Sequence, residues 1–294
     1  MANLKAIRIR ISSFKSTRQI TSAMKMVSAA KLRKAQDKIV RLRPYANKLH
    51  DLLVDLSISL SDSEIENVYG RVSAPEKVLV VVITSNRGLC GAFNTNVINE
   101  TRRILLDKYP EQVSKGNLKL LAIGKKGFDY FRKRNVSMLP DQNNLFNDLT
   151  FDNVNAVAEQ IMKSFTSHEY DRVELVYNQF KNAAVQNLTN EVFLPVETVV
   201  TGKPKSTPVD YIYEPSQEEI IQELIPKSLK IQFYKAVLDS FVAEHGARMT
   251  AMHKATDNAT TMIRDFTLQY NKARQATITN QILEVVSGAE ALRG

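Results

Sequence analysis

The chain has 294 residues, 44% hydrophobic, 24% charged and only 7% aromatic, with no Trp; that is enough for one large domain or two modest ones. Ten Gly and nine Pro exclude collagen-like and Pro/Gly-rich disordered chains, and the single Cys90 excludes an internal disulfide framework and a four-cysteine zinc site. The formal net charge is +9, yet residues 1–50 alone hold 13 basic residues against one acid, Asp37, so the remaining 244 residues carry a net −3.

The basic character therefore belongs to one segment and points to one partner. Nucleic acid is the usual first guess, and a solvated helix face is the plain alternative. Residues 1–36 contain no acid, as in a transit peptide, but their apolar pattern continues unbroken to residue 60 and reads as mature structure. No apolar run approaches the ~20 residues of a transmembrane helix. The expectation is a soluble, intracellular, reduced protein.

In chain order, the first element is a long helix over residues 3–60. Ala35, Ile39, Leu42, Ala46, Leu49, Leu53, Leu56 and Leu60 step by alternating fours and threes, a heptad seam. Upstream, Leu4, Ile7, Ile11 and Phe14 step likewise, and Ile20, Met24 and Val27 are expected to resume the stripe. Pro44 allows a single kink. Such a helix would be ~87 Å long at ~1.5 Å per residue, too long for a compact domain of this size. It must leave the globular body and pair with something.

The middle differs in kind. Lys77–Thr84 is a β-branched apolar run, followed by the loop Ser85–Gly91 and a helical stretch near 92–109. Leu118–Ile123 reads as a second strand, Gly127–Arg134 as a short helix and residues 151–167 as another. Arg172–Phe180 and Val192–Val200 are strand-like. Alternating strands and helices indicate a Rossmann-like α/β layer with a largely parallel sheet. The polar stretches Ser61–Glu76 and Thr201–Glu214 are linkers.

The mate of the first helix lies at the other end. Ser216 to Glu219 reads as a capping box after Pro215. A stripe then starts at Phe233, Val237 and Phe241, narrows to Ala247, Ala251, Ala255 and Ala259, and widens through Phe266, Tyr270 and Ala273. Alanines at every fourth position let two helices approach closely. The expected fold is thus α/β, with long N- and C-terminal helices forming an antiparallel coiled coil. The expected domains are 1–60 for the first helix, 75–200 for the α/β domain and 215–294 for the last helix.

Nucleotide binding fails the direct test. Gly202-Lys203-Pro204-Lys205-Ser206 lacks the first Gly of a phosphate loop and places Pro where a cradling amide is needed. Gly88-Leu89-Cys90-Gly91-Ala92 has the spacing of a nucleophile elbow, with Cys90 the nucleophile and His168, His245 or His253 its base. His245 and His253 fall on the coiled-coil helix, away from the sheet, and His168 lacks an obvious orienting acid beyond Glu169 and Asp171. No spacing suits a metal site. Two function classes besides a coiled-coil shaft stay open on these residues: a cysteine hydrolase and a basic arm that grips nucleic acid.

Three blocks carry a resemblance. Arg8-Ile9-Arg10-Ile11-Ser12-Ser13 with Ile20 through Leu32 is similar to the opening helix of the γ subunits of F-type ATP synthases, as found in bacteria. Thr84-Ser85-Asn86-Arg87-Gly88-Leu89-Cys90-Gly91-Ala92-Phe93-Asn94 resembles that family's loop after its first strand. Ala247 through Met252, Asn271-Lys272-Ala273-Arg274-Gln275, Ile278-Thr279 and Gly288-Ala289 resemble its C-terminal helix. Two residues depart: Gln281 stands where the family usually has Glu, and Asn86 where it often has Asp. There is no cysteine-bearing insertion of the chloroplast kind.

The resemblance implies a non-catalytic rotor shaft that couples proton flow to ATP synthesis on the β subunits. It implies three α and three β subunits, ε and the membrane c-ring as partners, no cofactor or metal, no nucleic acid, and a peripheral place on the cytoplasmic face of a bacterial membrane. Arg8, Arg10, Lys15, Arg18, Lys25, Lys31 and Arg33 would present positive charge to an acidic lobe of β, with Met24 beside them. Arg274, Gln275 and Thr279 match residues that meet a β loop. Tyr211, Tyr213 and Glu214 match the segment facing ε and the c-ring.

Overall fold

The computed structural model describes residues 4–59, 68–71, 73–196 and 217–291. Helix α1 spans Leu4–Ser59 and runs through Pro44; the last helix, α6, spans Gln217–Ala291 and runs through Pro226. The proposed capping serine, Ser216, lies outside the described residues. Between them come β1 (Val78–Ile83), α2 (Phe93–Arg103), α3 (Pro110–Ser114), β2 (Leu118–Ile123), α4 (Lys125–Arg132), α5 (Phe151–Thr166), β3 (Arg172–Phe180) and β4 (Gln186–Leu194). Among the described residues no helix is long and apolar enough to cross a membrane. The chain divides into two compact units: residues 1–28 with 248–294, and residues 29–247.

In the first unit the start of α1 and the end of α6 pair antiparallel. Arg8 Nη2 donates to the Tyr270 hydroxyl at 2.7 Å, Phe14 stacks on Phe266 with centroids 5.5 Å apart, and the Thr256 hydroxyl meets Thr21 Oγ1 at 2.8 Å. Partner numbers fall on α6 as they rise on α1, which fixes the direction. The ring stack contributes about 0.5–1.5 kcal/mol beyond its area, and the hydroxyl pair about 1 kcal/mol.

The buried stripe of α1 departs from the expected one at two positions. Ile20 and Val27 are 60% and 58% exposed, while Thr21 and Ser28 are 8% and 3% exposed. The heptad from Leu4, Ile7, Ile11 and Phe14 runs without a break through Thr21 and Ser28 to Leu32, Ala35 and Ile39. A hydroxyl side chain at a seam position is small enough to be buried, and its polar atom is satisfied locally or across the pair. Thr21 Oγ1 lies 3.2 Å from the Arg18 carbonyl, and Thr256 Oγ1 2.7 Å from the Met252 carbonyl. Two hydroxyl protons can satisfy the interhelical bond and either one of these carbonyls.

On α6, Ala259 is only 4% exposed, whereas Ala251 and Ala255 are half-buried. Ala259→Leu is therefore the sharper size test of the pair. It should cost about 1–3 kcal/mol through overpacking, read as a lower melting temperature; an unchanged melting curve would mean that this side chain is not at the close approach.

In the second unit a four-stranded sheet has the order β2-β1-β3-β4. β1 pairs parallel with both β2 and β3, and β4 returns antiparallel along β3. Every β1 residue is buried, which is why its sequence is a continuous apolar run rather than an alternating one.

The last strand is displaced from the expected Val192–Val200 to Gln186–Leu194. Asn182 Oδ1 accepts from the amides of Ala184 and Val185, closing a tight turn that sets Phe180 opposite Gln186. β4 is an edge strand whose first half is polar, so its apolar signal begins only at Val192. The helix expected over 92–109 ends at Arg103 and is followed by a wide π-helical turn, Ile104–Lys108. Tyr109 leaves the helical region at φ −128°, ψ 44°, since the residue before a proline is disfavoured there, and Pro110 starts α3.

The stretch of α6 from Leu229 to Gly246 belongs to this second unit and is buried nearly all round. Phe233 packs on Phe193, Tyr234 on Phe151 and Phe241 on Phe146, so these aromatics serve the α/β layer and not a coiled-coil seam. Lys230 also pairs with Glu159 of α5 at 2.6 Å. The α1 seam in this unit is buried as expected at Ala35, Ile39 and Leu49, and half-buried at Leu42 and Ala46.

Candidate functional site

The chain leaves β1 for β2 on one side and then crosses to β3 on the other. The C-terminal ends of β1 and β3 therefore form a topological switch point, the place where open α/β sheets bind ligands. Here the crevice is filled by protein. Cys90, Phe93 and Ala243 form one buried cluster with Phe180 and Ala247 packed against it. Gly246 lies so close to the β3–β4 turn that a Cβ would sit 3.2 Å from Ala183 Cα. Helix α6 occupies the site a nucleotide takes in other such sheets.

The loop after β1 turns its polar groups inward. Asn94 Oδ1 accepts from the Ser85 amide at 2.9 Å, and Asn94 Nδ2 donates to Cys90 Sγ at 3.2 Å. Asn178 Nδ2 donates to the Phe93 carbonyl at 3.0 Å. Cys90 is 2% exposed beneath α6, so as a nucleophile it would be sealed from substrate. The elbow reading fails for this reason. The left-handed positions of the loop are Leu89 and Gly91, at φ 63° and 60°, and not Cys90 itself.

The candidate bases are scattered. His168 lies beside Arg71, with φ 61°. His253 is exposed and 3.5 Å from Asp257. His245 is 5% exposed against the Phe241 ring, on the part of α6 that packs on the α/β layer, contrary to the expectation that it lies away from the sheet.

Asn86 uses both ends of its amide: Nδ2 donates to the Asn143 carbonyl at 2.9 Å, and Oδ1 accepts from the Lys125 amide at 3.0 Å. An ionised Asp could make only the second bond. This departure from the common pattern is structural.

The basic residues of α1 are distributed around the heptad. Arg18 and Lys25 fall on seam positions, the first exposed and the second half-buried; Met24 is half-buried as well. Arg8 and Arg10 flank the seam and lie over the Tyr270 and Phe266 rings, 5.6 and 5.7 Å from the centroids. The hydrogen bond that Arg8 donates to the Tyr270 hydroxyl raises the guanidinium pKa, so this charge is permanent. Lys15, Lys31 and Arg33 are exposed.

On α6, Arg274, Gln275, Thr279 and Gln281 are all exposed. Arg274 and Gln281 are seven residues apart and share one face; Gln275 and Thr279, four apart, share the next. The Thr279 hydroxyl donates to the Gln275 carbonyl at 3.0 Å, which leaves its lone pairs to accept from a partner. Tyr211, Tyr213 and Glu214 lie outside the described residues. Sequence reasoning missed Thr21 and Thr256; carrying the heptad straight on from Phe14 would have found the first.

A family model described as ATP synthase matches residues 3–292. The ATP synthase gamma chain of Flavobacterium psychrophilum is 57% identical over 294 residues, covering 100% of both chains. The chain belongs to the ATP synthase gamma-chain family.

Two solved structures are similar. A chain of the Euglena gracilis mitochondrial ATP synthase, from an OSCP/F1/c-ring structure, matches 98% of this chain and 94% of its own length with TM-score 0.65 at 23% identity, a likeness of fold. A chain of the Tetrahymena thermophila mitochondrial ATP synthase central stalk and c-ring matches with TM-score 0.56 at 27% identity, covering 80% of this chain and 99% of that one. The filled crevice agrees with membership in a family whose catalysis resides in the beta subunits.

Proposed function

We propose that this gamma chain, the rotor of its ATP synthase, transmits torque through its paired terminal segments to three β subunits, with Arg8, Arg10, Arg18, Met24, Lys25 and Arg33 along α1 and Arg274, Gln275 and Thr279 on α6 as the contact residues. The observation that carries this reading is the antiparallel pair held by Phe14 on Phe266, Arg8 on Tyr270 and Thr21 on Thr256. Every residue from Ile278 to Ala291 is exposed, including Ile282, Leu283, Val285 and Val286. So apolar a tip calls for a surrounding sleeve, which three α and three β subunits would supply. Torque follows because an asymmetric shaft makes different contacts with each β subunit at each angle, and only differential contacts shift a site's equilibrium. Tyr211, Tyr213 and Glu214 are assigned to ε and the c-ring on the resemblance alone. Residues 1–60, 75–200 and 215–294 act as first shaft helix, α/β foot and second shaft helix, on the cytoplasmic face of the membrane.

Co-purification tests the assembly: α and β chains should accompany the tagged chain at threefold excess, and their absence would overturn the reading. Arg274→Ala tests the contact. The variant should keep its circular dichroism, since Ala is the best helix former. An exposed charged contact is worth up to about 1 kcal/mol, so ATPase turnover of the assembled enzyme should fall measurably, by at most about fivefold. Unchanged turnover in a normally assembled complex removes Arg274 from the site. Gln281→Glu, on the same face, should change turnover little.

A further inference from the structure

The net charge of residues 51–294 is negative, yet residues 125–134 hold five cations, Lys125, Lys126, Arg132, Lys133 and Arg134, and one acid, Asp129. All five are exposed, and among the described residues none forms an ion pair with a carboxylate. Three sit at the C-terminal end of α4, where the helix dipole favours positive charge. That explains nothing about Lys125 and Lys126, which stand in the first turn, against the dipole.

Nor does an anion belong at that end. Its amides are already taken: Lys125 N–H by Asn86 Oδ1 at 3.0 Å, Lys126 N–H by the Ser85 carbonyl at 3.1 Å, and Gly127 N–H by Thr84 Oγ1 at 2.8 Å. The two lysines are therefore unfavourable to the isolated helix and uncompensated within it.

The guanidinium groups are held in place. Arg134 lies over the Tyr130 ring, 3.7 Å from the centroid, and donates to the Tyr130 carbonyl at 3.2 Å; Arg132 lies over Phe128 at 5.8 Å. A guanidinium stacked on a ring loses little further freedom when its N–H fork meets a carboxylate. The rings themselves are half-buried, and α4 exposes no large apolar side chain. It thus lacks what an interfacial helix inserts into a bilayer.

We propose that the outer face of α4 docks a carboxylate-rich segment of another subunit in the assembled enzyme. The proposal rests on the reading of the chain as a subunit of such a complex, and the test separates the two. The free chain and the detergent-extracted complex are acetylated at low salt with an amine-acylating reagent, and Lys125, Lys126 and Lys133 are followed by mass spectrometry. Labelling of these lysines should be at least about fivefold slower in the complex, as expected where charges are paired and shielded. A zero-length carbodiimide should join at least one of them to an Asp or Glu of another chain. Lys133→Glu/Arg134→Glu should leave the circular dichroism of the chain unchanged and remove both effects.

Equal labelling in chain and complex overturns the proposal, as does carbodiimide treatment that joins no α4 lysine to another chain. Protection present in membranes and lost on extraction, with α and β still bound, assigns the face to lipid and overturns it too. Failure of α and β to co-purify at all overturns the assembly reading, and this proposal with it.

Discussion

Gly124→Ala should cost the α/β unit at least about 3 kcal/mol, enough to unfold a domain of marginal stability. Gly124 sits between β2 and α4 at φ 111°, ψ 132°, outside the regions that L-residues populate. A Cβ there would lie 2.1 Å from the Thr84 carbonyl oxygen and 2.9 Å from Thr84 Oγ1. Neither can retreat cheaply. Thr84 is 1% exposed, its amide is bonded to the Ile123 carbonyl, and its hydroxyl accepts from the Gly127 amide. Backbone strain and steric overlap therefore add. Urea unfolding of the full chain, followed by near-ultraviolet circular dichroism, measures the loss. A midpoint within error of the parent would mean that the β2–α4 junction can open without penalty, and this account of the turn would be wrong.

Glu174→Gln is the second large effect, about 2–3 kcal/mol at neutral pH. Glu174 points from β3 into the layer with 0% exposure. Its Oε1 accepts from Lys108 Nζ at 2.5 Å, Tyr109 hydroxyl at 2.5 Å and Arg172 Nε at 3.0 Å, clamping the π-helical turn to the sheet. Burial alone pushes this carboxyl up, but the hydrogen bonds from Lys108 and Tyr109 and the charges of Lys108 and Arg172 outweigh it, so the pKa lies below the usual value. Breaking a buried pair costs about 3–5 kcal/mol when a charge is stranded. Lys108 and Arg172 are 42% and 28% exposed and can turn to water, which makes the loss smaller here.

The depressed pKa fixes the sign of the pH effect. Stability from the carboxylate is fully present above its unfolded pKa of about 4.3, and is lost as pH falls through the lower folded value. The gap between parent and Glu174→Gln should therefore close progressively below about pH 4. A gap that stays constant to the acid limit would show that packing, not the charge, accounts for the loss. Glu191 behaves oppositely, since burial holds its pKa above the ordinary carboxylate value and neutral pH strains it.

Much of this was legible in advance. β1, β2, β3 and the α5 segment were readable because they are strongly periodic or continuously apolar. The seam at Ala35, Ile39 and Leu49 followed from heptad spacing. β4 was misplaced because an edge strand with a solvated face has too weak an apolar pattern to mark its start. Ile20 and Val27 read as seam residues on their hydrophobicity, while the register assigns those places to Thr21 and Ser28; a buried hydroxyl is invisible to a pattern that counts only apolar side chains. Cys90 had the spacing of a nucleophile, and spacing says nothing about what covers a residue.

The two long helices, the α/β middle, the concentration of positive charge in the first 50 residues and the family can all be read along the chain. Each rests on local periodicity, composition or a run of matched residues, quantities defined along the chain. The folded packing is what assigns Phe233, Tyr234 and Phe241 to the α/β layer, rests Arg8 and Arg10 on Tyr270 and Phe266, and brings Ala243 and Ala247 of α6 to close the crevice between β1 and β3. These facts depend on residues 40 or more positions apart meeting in space. Which of several apolar or cationic side chains finds which distant partner is set by packing, because burial rewards any apolar surface alike and carries no address of its own.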